Sequence, residues 1–376
     1  KNVFGVPAMA SSFFNIGSIV GGVSIGYWLD PQFGERALIG VAIGTLIGGA
    51  AQLGVQLPAL RKAGFRLRPD FQWNDPGVRQ ILRLMGPAVI AASSVQINVM
   101  INAMFASTMG HGPISWLAIA FRLMQLPLGV FGVAIATVTL PVLSRSIAAG
   151  DPAAFRSVLA RGMRLAFLLT IPSTIGLIIL AEPIISVLYQ HGKFGAEETR
   201  QAAGALQFYA IGLCAYSAMK VLVPAFYAID KRKAPMIVSF VAIGVNLVLN
   251  WVFTFQLNLG HRGLALSTGC VALTNFAILY VLMSRETGGL ETKQMLATFR
   301  RLAVAGAFLG IVCLAGKAFL FAEWATMPFL LKTAYLGLCI GAAAVTFFWA
   351  ASALRVEEMA DLTDAAKRIS ARFRKR

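Results

Sequence analysis

Acidic side chains are scarce in this 376-residue chain: 16 Asp and Glu stand against 33 Lys and Arg, and charged residues of both signs make up only 13%. Soluble domains carry roughly 25% charged residues. A soluble globular fold is therefore excluded, in agreement with a hydrophobic content of 57% and a mean hydropathy of +0.72. Fifteen of the sixteen acids fall in loops or at the ends of apolar runs, and the other, Glu182, precedes Pro183 close to a run's end. No carboxylate stands clearly at mid-depth to bind a proton or a metal cation. The three histidines, His111, His191 and His261, lie between runs and belong to no triad or metal motif. Each reads as a solvated loop residue, so hydrolytic and metal chemistry find no support and no cofactor is expected. Cys214, Cys270, Cys313 and Cys339 fall inside apolar runs without ligand spacing and read as small packing residues. The chain opens KNVFG, with neither an initiator Met nor a signal peptide, and is expected to be a fragment or a truncated form.

Long apolar sequence is what the chain has in abundance. Ten runs, 5–29, 38–60, 84–109, 114–144, 165–190, 203–229, 235–257, 263–284, 302–321 and 333–354, can be read by length and flanking charge. A bilayer core of ~30 Å takes roughly 20 helical residues. The runs are too long for barrel strands of ~10 residues, and a helix satisfies its own backbone. The fold class is thus all-α, a polytopic membrane protein with about ten transmembrane helices. Gly21, Gly22, Ser24 and Gly26 in the first run, and Gly40, Gly44, Gly48 and Gly49 in the second, let helices approach closely. None has the strand–turn–helix context of a phosphate loop.

A formal net charge of +17 would suggest nucleic acid in a soluble protein. Here 25 of the 33 basic residues lie at Lys1 and in the segments 61–83, 145–164, 231–233, 285–301 and 355–376. Five lie in the opposite segments 30–37, 110–113, 191–202, 258–262 and 322–332, and Arg122, Lys220 and Lys317 lie within runs. That is the positive-inside pattern: no nucleic-acid partner is expected, and both ends of this chain are expected in the cytoplasm. The segment 61–83, with Pro69 and Pro76, joins two groups of runs. The segment 146–164 opens after Asp151-Pro152 and places Phe155, Val158 and Leu159 at helical spacing. Both read as interfacial helices whose basic residues face anionic lipid heads. The tail 355–376 is expected to be a surface helix or a solvated end, with disorder at the last few residues.

Two cations stand inside the runs. Arg122 lies seven residues past Ser115, ~10 Å into its helix, and Pro127 opens the backbone just beyond it. Lys220 precedes Asp230 by ten residues, ~15 Å along the helix, with Pro224 four residues on. A mid-membrane Arg or Lys costs roughly 2.5 to 3.5 kcal/mol on insertion scales. Both are therefore read as lining one wet cavity that attracts an anion. Phosphate or pyrophosphate fits best, because Arg forks onto its oxygens and Lys acts as a point charge. The alternatives are an Arg122 that snorkels to the interface, and isolated cations bound to backbone carbonyls. Lys317, four residues from its run's end, reads as snorkelling outward. The intramembrane amides Gln96, Asn98, Asn102 and Gln125 either add hydrogen bonds to such a ligand or serve as interhelical glue.

Several stretches carry a family resemblance: LMGPAVIAASSVQINVMINAMFAS (84–107), ISWLAIAFRLMQLPLGVFGVAIATVTLPVLSR (114–145), MKVLVPAFYAIDKRKAP (219–235), NLVLNWVF (246–253), GHRGLALSTG (260–269) and GGAAQLGVQLPALRKAG (48–64). With their R-L-M-x-x-P-x-G and K-V-x-x-P-x-F-Y runs, they resemble the MurJ (MviN) family, the lipid II flippases of the multidrug/oligosaccharidyl-lipid/polysaccharide exporter superfamily. The resemblance covers essentially the whole chain and implies a two-lobe, fourteen-helix transporter, of which this chain resembles the part from the fifth helix onward. It implies that 1–60 holds the last two helices of the N-terminal lobe, 61–83 a cytoplasmic linker, 84–285 the six-helix C-terminal lobe, 286–354 two helices forming a lipid-tail groove, and 355–376 a basic tail. It also implies that an undecaprenyl-pyrophosphate-linked glycopeptide, lipid II, is flipped across the bacterial inner membrane by alternating access, without bond chemistry. Membrane lipids would be the other partners. Arg122 would anchor the head group, Lys220 would be a second cavity charge, and Pro127 and Pro224 would act as hinges. Phe121 and Gln125 stand where some relatives carry acids beside the cavity Arg. The runner-up is a flippase for another polyprenyl-linked glycan of O-antigen type. A cation-coupled drug exporter would be favoured by mid-depth carboxylates, and a regulatory scaffold by a soluble kinase-like extension.

Overall fold

The computed structural model describes residues 5–62, 64, 75–321, 324, 327–360 and 362; within its helices, the side chains of 5–8, 83, 84, 87, 88, 90–92, 94 and 95 lie outside that description. The chain divides into two units, Lys1–Arg79 and Gln80–Arg376. In the first, α1 (Gly5–Leu29) and α2 (Ala37–Lys62) form a helical hairpin. Its seam is the expected small-residue contact. A Cβ added to Gly40 would overlap the Gly26 backbone, one on Gly44 the Gly22 backbone, and one on Gly48 the Ser18 hydroxyl and the Phe14 carbonyl. Gly49 has no neighbour within 4 Å and takes no part. Of the interfacial helix expected in 61–83, residues 63 and 65–74 lie outside the described ones, while 61–62 end α2 and 76–83 are the first turns of the 32-residue α3 rather than a separate helix.

Helix α3 (Pro76–Ser107) starts where Asp75 accepts from the Gly77 amide at 2.7 Å and the Val78 amide at 3.2 Å. Pro76 at the first helical position loses no needed donor. Then come α4 (Pro113–Pro127), a π-helical stretch Leu128–Gly132, α5 (Val133–Ala148), α6 (Pro152–Ile179), the short α7 (Ala181–Tyr189), α8 (Ala196–Ile211) and α9 (Leu213–Ala228). After these, α10 (Lys233–Trp251) runs into a second π-helical stretch, Val252–Gln256, and α11 (His261–Thr287), α12 (Thr292–Phe319) and α13 (Phe329–Ala353) complete the chain. Among the described residues, eight helices are long and apolar enough to cross a membrane, and α8 and α9, which meet at a 44° bend, reach that length and apolarity only when taken together. The 32-residue α3 carries the tenth expected run. The chain is all-α and a multi-pass membrane protein, as its apolar runs require.

Three expectations are corrected. The segment 146–164 does not form a separate interfacial helix. Asp151 caps α6, accepting from the Ala153 and Ala154 amides at 3.0 and 2.9 Å, and the helix then continues unbroken to Ile179. Arg164 does not face lipid heads but is buried against Glu358 and Glu291, because α6 packs against α12, which Glu291 precedes, and against α13, which Glu358 follows. His261 is not a solvated loop residue. It opens α11, is 9% exposed, packs against Trp116 with ring centroids 4.9 Å apart and places Nε2 3.1 Å from the Gln201 carbonyl.

The core of the second unit forms two clusters. One gathers Leu168, Leu222 and Phe226 of α6 and α9 with Leu302 and Phe347 of α12 and α13. The other gathers Leu117 and Met124 of α4 with Leu206 and Leu213 of α8 and α9. Cys313 and Cys339 are buried and Cys214 and Cys270 half-buried, all as free thiols. The start of the tail is docked: Val356 and Glu358 are buried, and the Arg355 carbonyl accepts from Arg301 at 2.8 Å. The disorder expected at the last residues concerns positions outside the described ones.

Candidate functional site

The first wall of the site is set by the way α4 begins and ends. Gly112, at φ 109°, caps it, and a Cβ there would overlap the Trp116 ring, so only glycine suits both the backbone and the ring. Trp116 in turn packs at a tilt against His261, which ties the start of α4 to the start of α11. At the other end Pro127 lacks an amide hydrogen, and the helix relaxes into the π-helical stretch Leu128–Gly132. The last residue of that stretch meets α9: a Cβ on Gly132 would sit 3.3 Å from the Ser217 hydroxyl and 3.5 Å from Cγ of Lys220. The backbone irregularity after Arg122 thus lies against the residue bearing the second cation.

Arg122 and Lys220 line one cavity of about 740 Å³, walled by α3, α4, α8, α9, α10 and α11. Pro224 and the amides Asn98 and Asn102 line it too. Gln96 and Gln125 are exposed outside that lining, and Pro127 is buried behind it. Neither cation forms an ion pair or hydrogen bond with a described residue, and no described Asp or Glu lines the cavity. Two guanidinium and ammonium charges facing a space without a counter-charge make a positive potential that an anion relieves. Tyr209, Tyr216 and Tyr227 add phenols to the wall, and the Tyr216 hydroxyl reaches the Thr268 carbonyl at 3.5 Å.

The amides divide into two kinds. Asn102 donates to the Thr268 hydroxyl at 2.9 Å and accepts from Asn250 at 2.8 Å. Asn250 also donates to Asn246 at 3.2 Å and contacts the Ser267 hydroxyl, while Asn246 donates to Ser267 at 3.4 Å. This network pins α3, α10 and α11 together, so Asn102 is interhelical glue as well as wall. Asn98 and Asn275 behave differently: each has a buried amide oxygen with no partner. Such an atom costs about 1–3 kcal/mol when nothing pairs it. Asn246, Asn250 and Asn275 did not stand out among the candidate site residues of the sequence. The four-residue spacing of Asn246 and Asn250, one helical face in an otherwise apolar run, is the signal that marks the network.

Among known proteins, a family model described as "Lipid II flippase MurJ" matches residues 1–335. The chain is 37% identical over 306 residues to the probable lipid II flippase MurJ of Vibrio cholerae serotype O1, an alignment covering 81% of this chain and 57% of that protein. It is 35% identical over 280 residues to the probable lipid II flippase MurJ of Buchnera aphidicola subsp. Acyrthosiphon pisum, covering 74% of this chain and 53% of that one. A solved structure described as "Lipid II flippase MurJ, inward closed conformation" has the same fold. It gives a TM-score of 0.68 at 24% identity, over 92% of this chain and 68% of that one. The chain spans about half the length of these two curated relatives. With a family match that runs from the first residue through most of the sequence, and a fold that agrees with it, this chain belongs to the MurJ family.

Proposed function

We propose that this chain acts in moving lipid II, an undecaprenyl-pyrophosphate-linked disaccharide-pentapeptide, from the inner to the outer leaflet of the bacterial cytoplasmic membrane for cell-wall synthesis. One observation carries the reading: Arg122 and Lys220 face a common cavity in which no described carboxylate answers them. The pyrophosphate supplies the missing counter-charge, with Arg122 forking onto its oxygens and Lys220 acting as a point charge. The polyprenyl tail remains in lipid along α12 and α13 while the head group occupies the cavity. Rocking of lobes about the site then exposes it to the other side, and the irregular backbone after Arg122 and at Pro224 offers places to bend. No bond is made or broken, so the activity is transport. The excess of Lys and Arg in alternate segments orients both ends of this chain to the cytoplasm. A cation-coupled exporter would need a carboxylate at the site, and the described lining offers none.

The test is binding of undecaprenyl pyrophosphate to the purified chain in lipid nanodiscs, read by native mass spectrometry. Binding that falls at least tenfold in Arg122→Ala, with the fold retained, is the expected result. Equal binding by wild type and Arg122→Ala would remove the cavity from the transport path.

A further inference from the structure

Among the described residues, buried polar side-chain atoms without a hydrogen-bond partner occur in Ser18, Asn98, Ser217, Arg232, Thr254, Asn275 and Glu358. Only Asn98 and Asn275 also line the Arg122–Lys220 cavity. Asn98 lies four residues before Asn102 on α3, and Asn275 seven residues after Thr268 on α11. The charge pattern of the loops runs α3 and α11 in opposite directions. Both asparagines are then displaced the same way from the Asn102–Thr268 bond, by ~6 and ~10 Å at 1.5 Å per residue. The polar stripe that begins in the paired network therefore continues along the cavity wall, where its pairing stops at Asn98 and Asn275. Asn102, Asn246 and Asn250 spend their amides on each other and on hydroxyls. Asn98 and Asn275 leave their amide oxygens unpaired in the lining they share with two cations.

We infer that Asn98 and Asn275 form a neutral hydrogen-bonding subsite that takes the glycan of the lipid-linked head group, next to the cation pair that takes its pyrophosphate. The inference rests on the reading of the cavity given above and adds what recognises the uncharged part of the ligand. A glycan with hydroxyl and acetamido groups offers both donors and acceptors, and a carboxamide answers both from one planar group. The terminal torsion of asparagine is soft, and neither oxygen has a bond to lose. Turning each amide toward a ligand thus breaks nothing, whereas turning Asn102 would dismantle the network. Polar groups aimed at hydroxyls discriminate between ligands more sharply than apolar surfaces do, because a ligand without the hydroxyl leaves them unpaired.

The experiment compares two ligands on the same chain in nanodiscs by native mass spectrometry: undecaprenyl pyrophosphate, which lacks the glycan, and lipid II, which has it. Wild type should bind lipid II the more tightly. Asn98→Leu combined with Asn275→Leu, which keeps the branched shape of the native side chains without their polar atoms, should weaken lipid II binding by about tenfold, the scale of one or two lost hydrogen bonds. It should leave undecaprenyl pyrophosphate binding and the melting temperature unchanged. The single variants Asn98→Ala and Asn275→Ala repeat the test if the leucine pair does not fold, and each should lose part of the glycan-dependent gain. Unchanged lipid II binding, or equal weakening of both ligands, overturns the subsite and leaves the anion reading standing. A wild-type chain that binds neither ligand overturns the anion reading itself, and the subsite with it.

Discussion

Arg164 of α6 and Glu358, just past α13, form an ion pair in which the two side chains are 5% and 1% exposed. A second acid, Glu291 at the start of α12, reaches the same guanidinium at 3.0 Å. One arginine thus joins α6 to both ends of the α12–α13 pair. With Gln294 donating to Glu357 at 2.8 Å, the contact fastens the start of the tail as well.

The ion pair should show its burial in stability. Removing one partner of a buried pair typically costs about 3–5 kcal/mol, because the other is left charged and dry. Arg164→Ala strands Glu358 and should lower the melting temperature in detergent more than Glu291→Ala does, since Glu291 can turn to water. Arg164→Met combined with Glu358→Leu should recover most of the loss. Additive losses in that double variant would show that the two side chains are not coupled.

Arg122→Lys should keep part of the binding of undecaprenyl pyrophosphate that Arg122→Ala loses, since it retains charge but not the planar fork. Lys220→Ala should weaken binding less than Arg122→Ala. Raising salt from 50 to 500 mM should weaken the wild type more than either alanine variant, since each removes one charge from the pair. Equal salt dependence in all three would speak against a charge-based site.

The amide network should behave as structure. Asn250→Leu removes the group that holds Asn102 and leaves Asn246 and Ser267 short of partners. Interhelical hydrogen bonds in membranes are worth about 0.6 kcal/mol on average, so a loss of roughly 1–2 kcal/mol over several bonds is expected, read by thermal unfolding. The glycan-dependent gain in lipid II binding should survive while the fold holds. Its disappearance with the fold intact would assign Asn250 to the ligand instead.

The α1–α2 seam should tolerate no added methyl at its centre. Gly44→Ala places a Cβ in the Gly22 backbone, while Gly49→Ala meets nothing within 4 Å. Limited proteolysis should cut the Gly44→Ala variant faster than wild type, and Gly49→Ala at the wild-type rate. Equal rates for all three would mean that the helices separate without consequence.

The sequence by itself determined where the helices are and what kind of solvent they meet. Apolar length sets the spans, as in α1, whose bounds Gly5–Leu29 coincide with the run 5–29, because hydrocarbon thickness and unsatisfied backbone leave few other solutions. It also marked Arg122 and Lys220, since a lone charge stands out in an apolar run. The rotation of each helix about its own axis was decided only by tertiary structure. Lipid tails and protein interior are alike apolar, so a membrane helix lacks the polar stripe that tells a soluble one which way to face. Hence Asn102 and Asn98, one turn apart on α3, read alike in sequence, yet one is bound to α10 and α11 and the other left unpaired. Hence also Arg164, one basic residue in a basic segment, turned out to be buried by acids 127 and 194 residues further on. Its partner is chosen by which helices meet, and that choice is made by the packing of α6 against α12 and α13.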